Sequence, residues 1–201
     1  MLAHSAARAD TKRPEIERAA LRLFVTRGLR GTTVRDIAAH AGVAEGTLYR
    51  HWRSKRELAR TLFRGCAAAV ADELRRAAEA EPTAPGKLVA AIRALFRCAR
   101  NEILLYEMLI LPPSRDTQDF VADAESPAEV LAAIIAAGQR RREFVQIDPR
   151  LAAECVVGAV NRVAIHRRLG TLPRRLAEYE RELAGAMLAT LTPARRRRTP
   201  A

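Results

Sequence analysis

The sequence of 201 residues predicts an all-α protein of about nine helices, with a small basic head followed by a larger helical body. Three observations carry that expectation. Forty alanines and 32 arginines supply residues of high helix propensity, while aromatic residues make up only 4%. Asn-Gly and Asp-Gly hairpin turns do not occur, and no alternating stretch runs beyond a few residues. Apolar residues instead recur three and four positions apart, the spacing of a buried helical stripe.

Charge divides the chain before any element is placed. Lys plus Arg number 35 against 23 Asp plus Glu, a net +12. Residues 1–56 hold 12 of the cations and only 5 of the anions, Arg195–Arg198 add four more cations, and the stretch between is nearly neutral. A polyanion is the expected partner of such a head. The longest apolar run, Ile103 to Leu111, spans nine residues and contains Glu107, well short of the roughly 20 that cross a bilayer. The first residues show no apolar leader, so a cytoplasmic protein without a membrane partner is expected. Cys66, Cys98 and Cys155 lie far apart and form no Cys-x-x-Cys, so packed, reduced thiols are expected rather than disulfides or a metal site.

The head reads as three short helices. Pro14 suits a first helical position, and Ile16, Ala19, Ala20, Leu23 and Phe24 form one stripe that Gly28 closes. Thr33 precedes Val34, Ile37, Ala38 and Ala41, with Asp36 in the place of a capping-box acid, so a second helix is expected from Val34 to His40. Gly42 supplies the left-handed residue of a turn. A third helix, Ala44 to His51, buries Leu48 and Trp52 and presents Thr47, Tyr49, Arg50 and His51. Ser54 and Glu57 form a Ser-x-x-Glu box that opens a fourth helix running to about Ala80.

Helix, glycine turn, helix with a polar outer face is a helix-turn-helix arrangement. Gly46 and Thr47 keep the third helix narrow enough for a major groove. Thr33 and Lys55 stand at helix N-termini, where unpaired N–H groups favour phosphate. Purely structural roles exist for several of these residues: His51 packing beside Trp52, and Tyr49 at the rim of a small core.

Residues 14–58, from Pro-Glu-Ile-Glu-Arg-Ala-Ala-Leu-Arg-Leu-Phe through Gly-Thr-Thr-Val-Arg-Asp-Ile-Ala and Ala-Gly-Val-Ala-Glu-Gly-Thr-Leu-Tyr-Arg-His-Trp to Ser-Lys-Arg-Glu-Leu, resemble the DNA-binding domain of the TetR family of bacterial transcriptional regulators. The resemblance implies that the third helix reads operator DNA. By position it assigns DNA contact to Thr33, Arg35, Glu45, Gly46, Thr47, Tyr49, Arg50, His51 and Lys55. Lys55 is expected to meet the phosphate backbone. Glu45 departs from the small or basic residues usual there, and Trp52 from the usual Phe.

In the body, a fifth helix from Lys87 is expected to carry Leu88, Ile92, Leu95, Phe96, Ala99, Ile103 and Tyr106 in one sector until Pro112-Pro113. A short segment near 115–124 follows. Ser126-Pro127-Ala128-Glu129 opens a helix to about Arg142, Asp148-Pro149 opens another to about Leu169, and a last runs from Pro173 to Leu191. The helix from Asp148 is apolar over half its circumference, wider than one core needs, which suggests a second buried surface. The resemblance implies that the last two helices form a dimer interface, placing Cys155, Val156, Ala159, Val160, Val163, Leu183 and Met187 there. It also implies an effector pocket in the body, for which Phe96, Tyr106, Met108, Phe120 and His166 are candidates by type.

The domain expectation is therefore 1–56 for DNA binding, 57–192 for effector binding and dimerisation, and 193–201 as a solvated basic tail. The functional expectation is a homodimeric, ligand-released repressor on a near-palindromic operator, with double-stranded DNA and an unknown small molecule as partners. No cofactor, metal or catalytic group is expected. Gly-x-Ser-x-Gly, P-loop and His-Glu-x-x-His motifs do not occur, so an enzyme is the weaker reading. A nonspecific architectural DNA protein is the remaining alternative, since charge alone would serve it.

Overall fold

The computed structural model describes residues 12–110, 119–120 and 126–193, and among these described residues the regular structure is nine helices and the helical pair 119–120. They are α1 (Arg13–Arg27), α2 (Val34–Ala41), α3 (Glu45–His51), α4 (Lys55–Glu79), α5 (Ala84–Asn101), α6 (Ile103–Ile110), α7 (Pro127–Arg140), α8 (Pro149–Arg168) and α9 (Leu176–Leu191). Among the described residues there is no strand.

The chain forms two compact units, residues 1–67 with 102–124, and residues 68–101 with 125–201. In the first, Ile16, Ala20, Leu23 and Phe24 of α1 pack with Ile37 and Ala38 of α2, Leu48 and Trp52 from α3, and Leu58 and Ala59 of α4. Met108 of α6 and Phe120 belong to that same core. The head's apolar interior is therefore completed by residues some fifty positions further along the chain.

That packing revises one sequence expectation. The fifth helix does not continue through Ile103 and Tyr106: it ends at Asn101, Glu102 interrupts it, and α6 begins at Ile103. Ile103–Ile110 is apolar on nearly every side, so its periodicity cannot say which way it faces. Ile103 ends half exposed while Tyr106 and Met108 are buried. The segment expected near 115–124 lies outside the described residues except for 119–120, which are helical.

In the second unit, α5 buries Leu88, Ile92, Leu95 and Phe96 against α7, α8 and α9, which contribute Leu131 and Ile135, Val156 and Val160, and Tyr179 and Leu191. One corner is held by polar bonds from the loop after α7. Arg142 adopts φ 59, Phe144 turns inward to 2% exposure, and Gly138 leaves room for its ring. The Glu143 carboxylate accepts from the Ala84 N–H at 2.7 Å, satisfying an orphan donor at the start of α5. Val145 donates its N–H to the Leu191 carbonyl at 2.8 Å, tying the loop to the end of α9.

The expected caps at Thr33, Ser126 and Asp148 are present. The last helix starts at Leu176, three residues later than expected. Cys66 and Cys98 are packed as expected, and burial pushes the Cys66 thiol up to about 11. Cys155 is not packed: it stands exposed on α8.

Candidate nucleic-acid interface

The turn between α2 and α3 is built by Gly42 at φ 64, with Val43 donating its N–H to the Ala38 carbonyl at 3.0 Å. A left-handed residue without Cβ makes that reversal at little steric cost. The third helix is pinned from one side only. Leu48 and Trp52 are 3% and 4% exposed, so the opposite face must stand clear. Glu45, Gly46, Tyr49 and Arg50 are exposed, with Thr47 and His51 half-buried.

Trp52 anchors the C-terminal end of this helix through two further contacts. The Arg13 guanidinium lies 5.5 Å from its ring centroid, and the His51 ring packs beside it at 5.3 Å and a tilt of 53°. Arg13 donates to Glu17 at 2.9 Å, which holds the guanidinium above the indole. Arg13 escaped the sequence reading because its partner is 39 positions away and no local pattern marks it.

At the start of α2, Thr33 and Asp36 form a complete reciprocal box. Asp36 Oδ2 accepts from the Thr33 N–H at 2.9 Å and hydroxyl at 2.6 Å, and the Asp36 N–H donates to Thr33 Oγ1 at 3.1 Å. Those bonds from Thr33, helped by Arg27 and His40, hold the Asp36 carboxyl below the ordinary aspartate range. Arg35 is exposed on the next position. At α4, the Glu57 N–H donates to Ser54 Oγ at 3.1 Å, but the Glu57 carboxylate accepts from the N–H of Arg53 at 2.7 Å, one residue before the cap.

All nine residues assigned to DNA from the sequence lie on the head, at the start of α2, along α3 and at the start of α4. Tyr49 and Lys55 line one small cleft with Val34, Leu48 and Trp52. Lys55 does not point freely outward: its ammonium donates to the carbonyls of Leu29 at 2.6 Å and Thr32 at 2.5 Å.

The effector candidates fall in both units. Phe96 is buried on α5 in the second unit, Met108 and Phe120 belong to the core of the first, and Tyr106 is buried on α6. His166 lies half-buried on α8, its ring nitrogens paired with Arg162 and Thr171. The interface candidates divide too. Val156 and Val160 are fully covered by the chain's own core, while Cys155 is exposed and Ala159, Val163, Leu183 and Met187 are half-buried. No cluster of three or more His, Cys, Asp or Glu is placed to hold a metal among the described residues, and no described helix is long and apolar enough to cross a membrane.

Comparison with known proteins meets the same boundary. Residues 16–62 match the family model described as bacterial regulatory proteins, tetR family. The HTH-type transcriptional repressor KstR2 of Mycobacterium tuberculosis is 47% identical over 60 residues, 30% of each chain. The HTH-type transcriptional regulator TtgR of Pseudomonas putida is 41% identical over 73 residues, 36% of this chain and 34% of that one. The match thus spans about a third of the length of these curated relatives. Over the whole chain the likeness is one of fold: FadR from Bacillus subtilis, solved in complex with stearoyl-CoA, superposes with a TM-score of 0.75 at 20% identity, covering 88% of this chain and 97% of that one. Residues 16–62 thus match the tetR family of bacterial regulatory proteins, and over the whole chain the likeness to solved structures is one of helical fold.

Proposed function

We propose that the chain is a sequence-specific DNA-binding transcriptional regulator, acting as a homodimeric, ligand-released repressor on a near-palindromic operator. The observation that carries the reading is the face of α3. Glu45, Gly46, Tyr49 and Arg50 stand exposed beside a left-handed glycine turn, on a helix fixed from behind by Leu48 and Trp52. Such a face offers donors and acceptors to base edges, while Thr33, Arg35 and His51 flank it as groups for phosphate. Repressor action is supported by the name of KstR2.

Two copies would pair through the outward side of α8 and α9. Leu151 and Cys155 are exposed there, and Ala159, Val163, Leu183 and Met187 continue the stripe. Pairing would set two recognition helices about 34 to 36 Å apart, one turn of B-DNA. Effector binding in the second unit would lower DNA affinity by favouring a state with a different head spacing, a coupling of about 1 to 3 kcal/mol. FadR from Bacillus subtilis was solved with stearoyl-CoA, so an acyl-CoA is the first effector class to try.

Selection of bound duplexes from a random pool tests the reading. The expected product is a two-fold related pair of half-sites spaced by about 10 base pairs or a multiple. Recovery of no common sequence would favour the nonspecific architectural alternative, for which the +12 charge suffices.

A further inference from the structure

Two polar side chains are laid against the indole of Trp52, which follows directly on α3 and is 4% exposed. The His51 ring lies 5.3 Å from it, and the guanidinium of Arg13, the first residue of α1, lies 5.5 Å from its centroid. Indole is the aromatic ring that attracts a cation best. A phenylalanine would fill the core here as well but attract the guanidinium less.

Arg13 is held at a second point, its Nε donating to Glu17 Oε1 at 2.9 Å one turn along α1. A ring contact and a directed bond fix the guanidinium plane, so less side-chain entropy remains to be lost when a ligand arrives. Neither contact uses the terminal amino groups. The side chain is still 49% exposed, and among the described residues Nη1 and Nη2 make no hydrogen bond. The N–H groups left over form the planar fork that matches phosphate oxygens, and a guanidinium can stack on a ring while it does so. Covering the indole needs only a methylene stem, which leaves a fixed and solvent-facing charge without a structural purpose. Its surroundings supply one: Tyr49 and Arg50 are exposed on the last turn of α3, and His51 shares the indole.

We infer that Arg13 is a further contact to the DNA backbone: Trp52 and Glu17 hold its guanidinium at the end of α3, where the free N–H groups take a phosphate beside the base-reading face. The inference rests on the DNA-binding reading and adds to it a residue of α1, remote in sequence from the ring that aims it. A phosphate contact carries no sequence information, so Arg13 sets affinity and register while α3 sets the choice of bases.

Salt titrations on one duplex test this, with variants that circular dichroism shows to be folded. Arg13→Gln should bind less tightly, and its plot of log affinity against log salt should be less steep than that of wild type by about 0.9, the value for one phosphate contact. Arg22→Gln removes the same charge from an exposed arginine of α1 that lines a cleft with His40 and Ala41, away from the residues given a role in DNA binding. Its slope should match wild type. Trp52→Phe keeps both charges and should keep the slope, while losing roughly two- to fivefold in affinity as the guanidinium loosens. That loss should vanish when Trp52→Phe is made in the Arg13→Gln background, because the two residues then act through one contact. An Arg13→Gln slope parallel to wild type, an equal slope change in Arg22→Gln, or a Trp52→Phe loss undiminished in the double variant would each overturn the inference. The slopes can be read on any duplex, so a wild type without sequence preference would defeat the regulator reading and leave the Arg13 test standing. Absence of all DNA binding would defeat both.

Discussion

Asp36 ties the start of α2 together. It accepts from the N–H and hydroxyl of Thr33 and lies 3.9 Å from Arg27. Because its folded pKa is depressed, chiefly by the Thr33 side chain, its contribution is complete above the ordinary aspartate value and fades as pH falls through the lower, folded value. Asp119, beside Arg56, and Glu73, beside Arg97 and Arg76, are depressed in the same sense. Stability should therefore decline progressively from about pH 5 downward in urea titrations, and Thr33→Ala should flatten that decline by raising the Asp36 pKa toward its unfolded value. An acid limb unchanged in Thr33→Ala would contradict the assignment. A second residue with a sharp expectation is Gly138, where an added Cβ would lie 2.7 Å from Phe144 Cε2 and 2.8 Å from Ala84 Cβ. Gly138→Ala should destabilise by about 1 to 3 kcal/mol in denaturant melts, despite the better helix propensity of alanine. The Thr33 to Asp36 box was legible in the sequence because its partners are three residues apart. The Gly138 site was not, since it depends on Arg142 at φ 59 swinging Phe144 back over α7.

Among elements, α3 has the clearest separation between folding and function. A Cβ at Gly46 would meet nothing within 4 Å in the free protein. Gly46→Ala should hence leave the fold intact or stabilise it by about 0.5 to 1 kcal/mol, while weakening DNA binding if the backbone of α3 approaches the groove closely. Equal affinity of this variant and wild type in a gel-shift titration would remove Gly46 from the interface. The α6 helix shows the limit of pattern reading. Its eight residues are too uniformly apolar to mark a face, so periodicity alone runs α5 through them, and only the head core reveals where Met108 packs. Phe120, 1% exposed in that core, lies 6.2 Å from the Phe63 ring with Arg56 over its face. Phe120→Ala should cost about 3 to 5 kcal/mol, read as a loss of head stability by amide exchange. By contrast α8 was legible in part: its wide apolar circumference was visible, but not that Val156 and Val160 turn inward while Leu151 and Cys155 turn out.

At the scale of the molecule, the uneven charge and the unequal likeness to relatives fall on the same division. Basic residues crowd the first 56 positions, the family model matches residues 16–62, and over the whole chain the likeness is one of fold. The helical plan and the exposed face of α3 were open to inspection because both rest on local spacing and caps. An effector site has no such local signal, and its five candidates were chosen by residue type alone. Pairing of two copies is tested at Cys155, whose exposure means that a charged side chain costs the single chain little. Cys155→Glu should shift the protein from dimer to monomer in sedimentation at micromolar concentration and weaken operator binding with it. A wild-type monomer, or a variant that remains dimeric, would remove this surface from the account.

The central claim is that α3 reads sequence, and it is tested most directly by fluorescence anisotropy with two duplexes of equal length and composition at about 0.15 M salt. One carries the region upstream of this chain's own gene and the other its scrambled counterpart. Affinity for the first should exceed that for the second by at least about a thousandfold, with Thr47→Ala narrowing the gap. Equal affinity for the two duplexes, falling together as salt rises, would show that the basic head binds phosphate without reading bases.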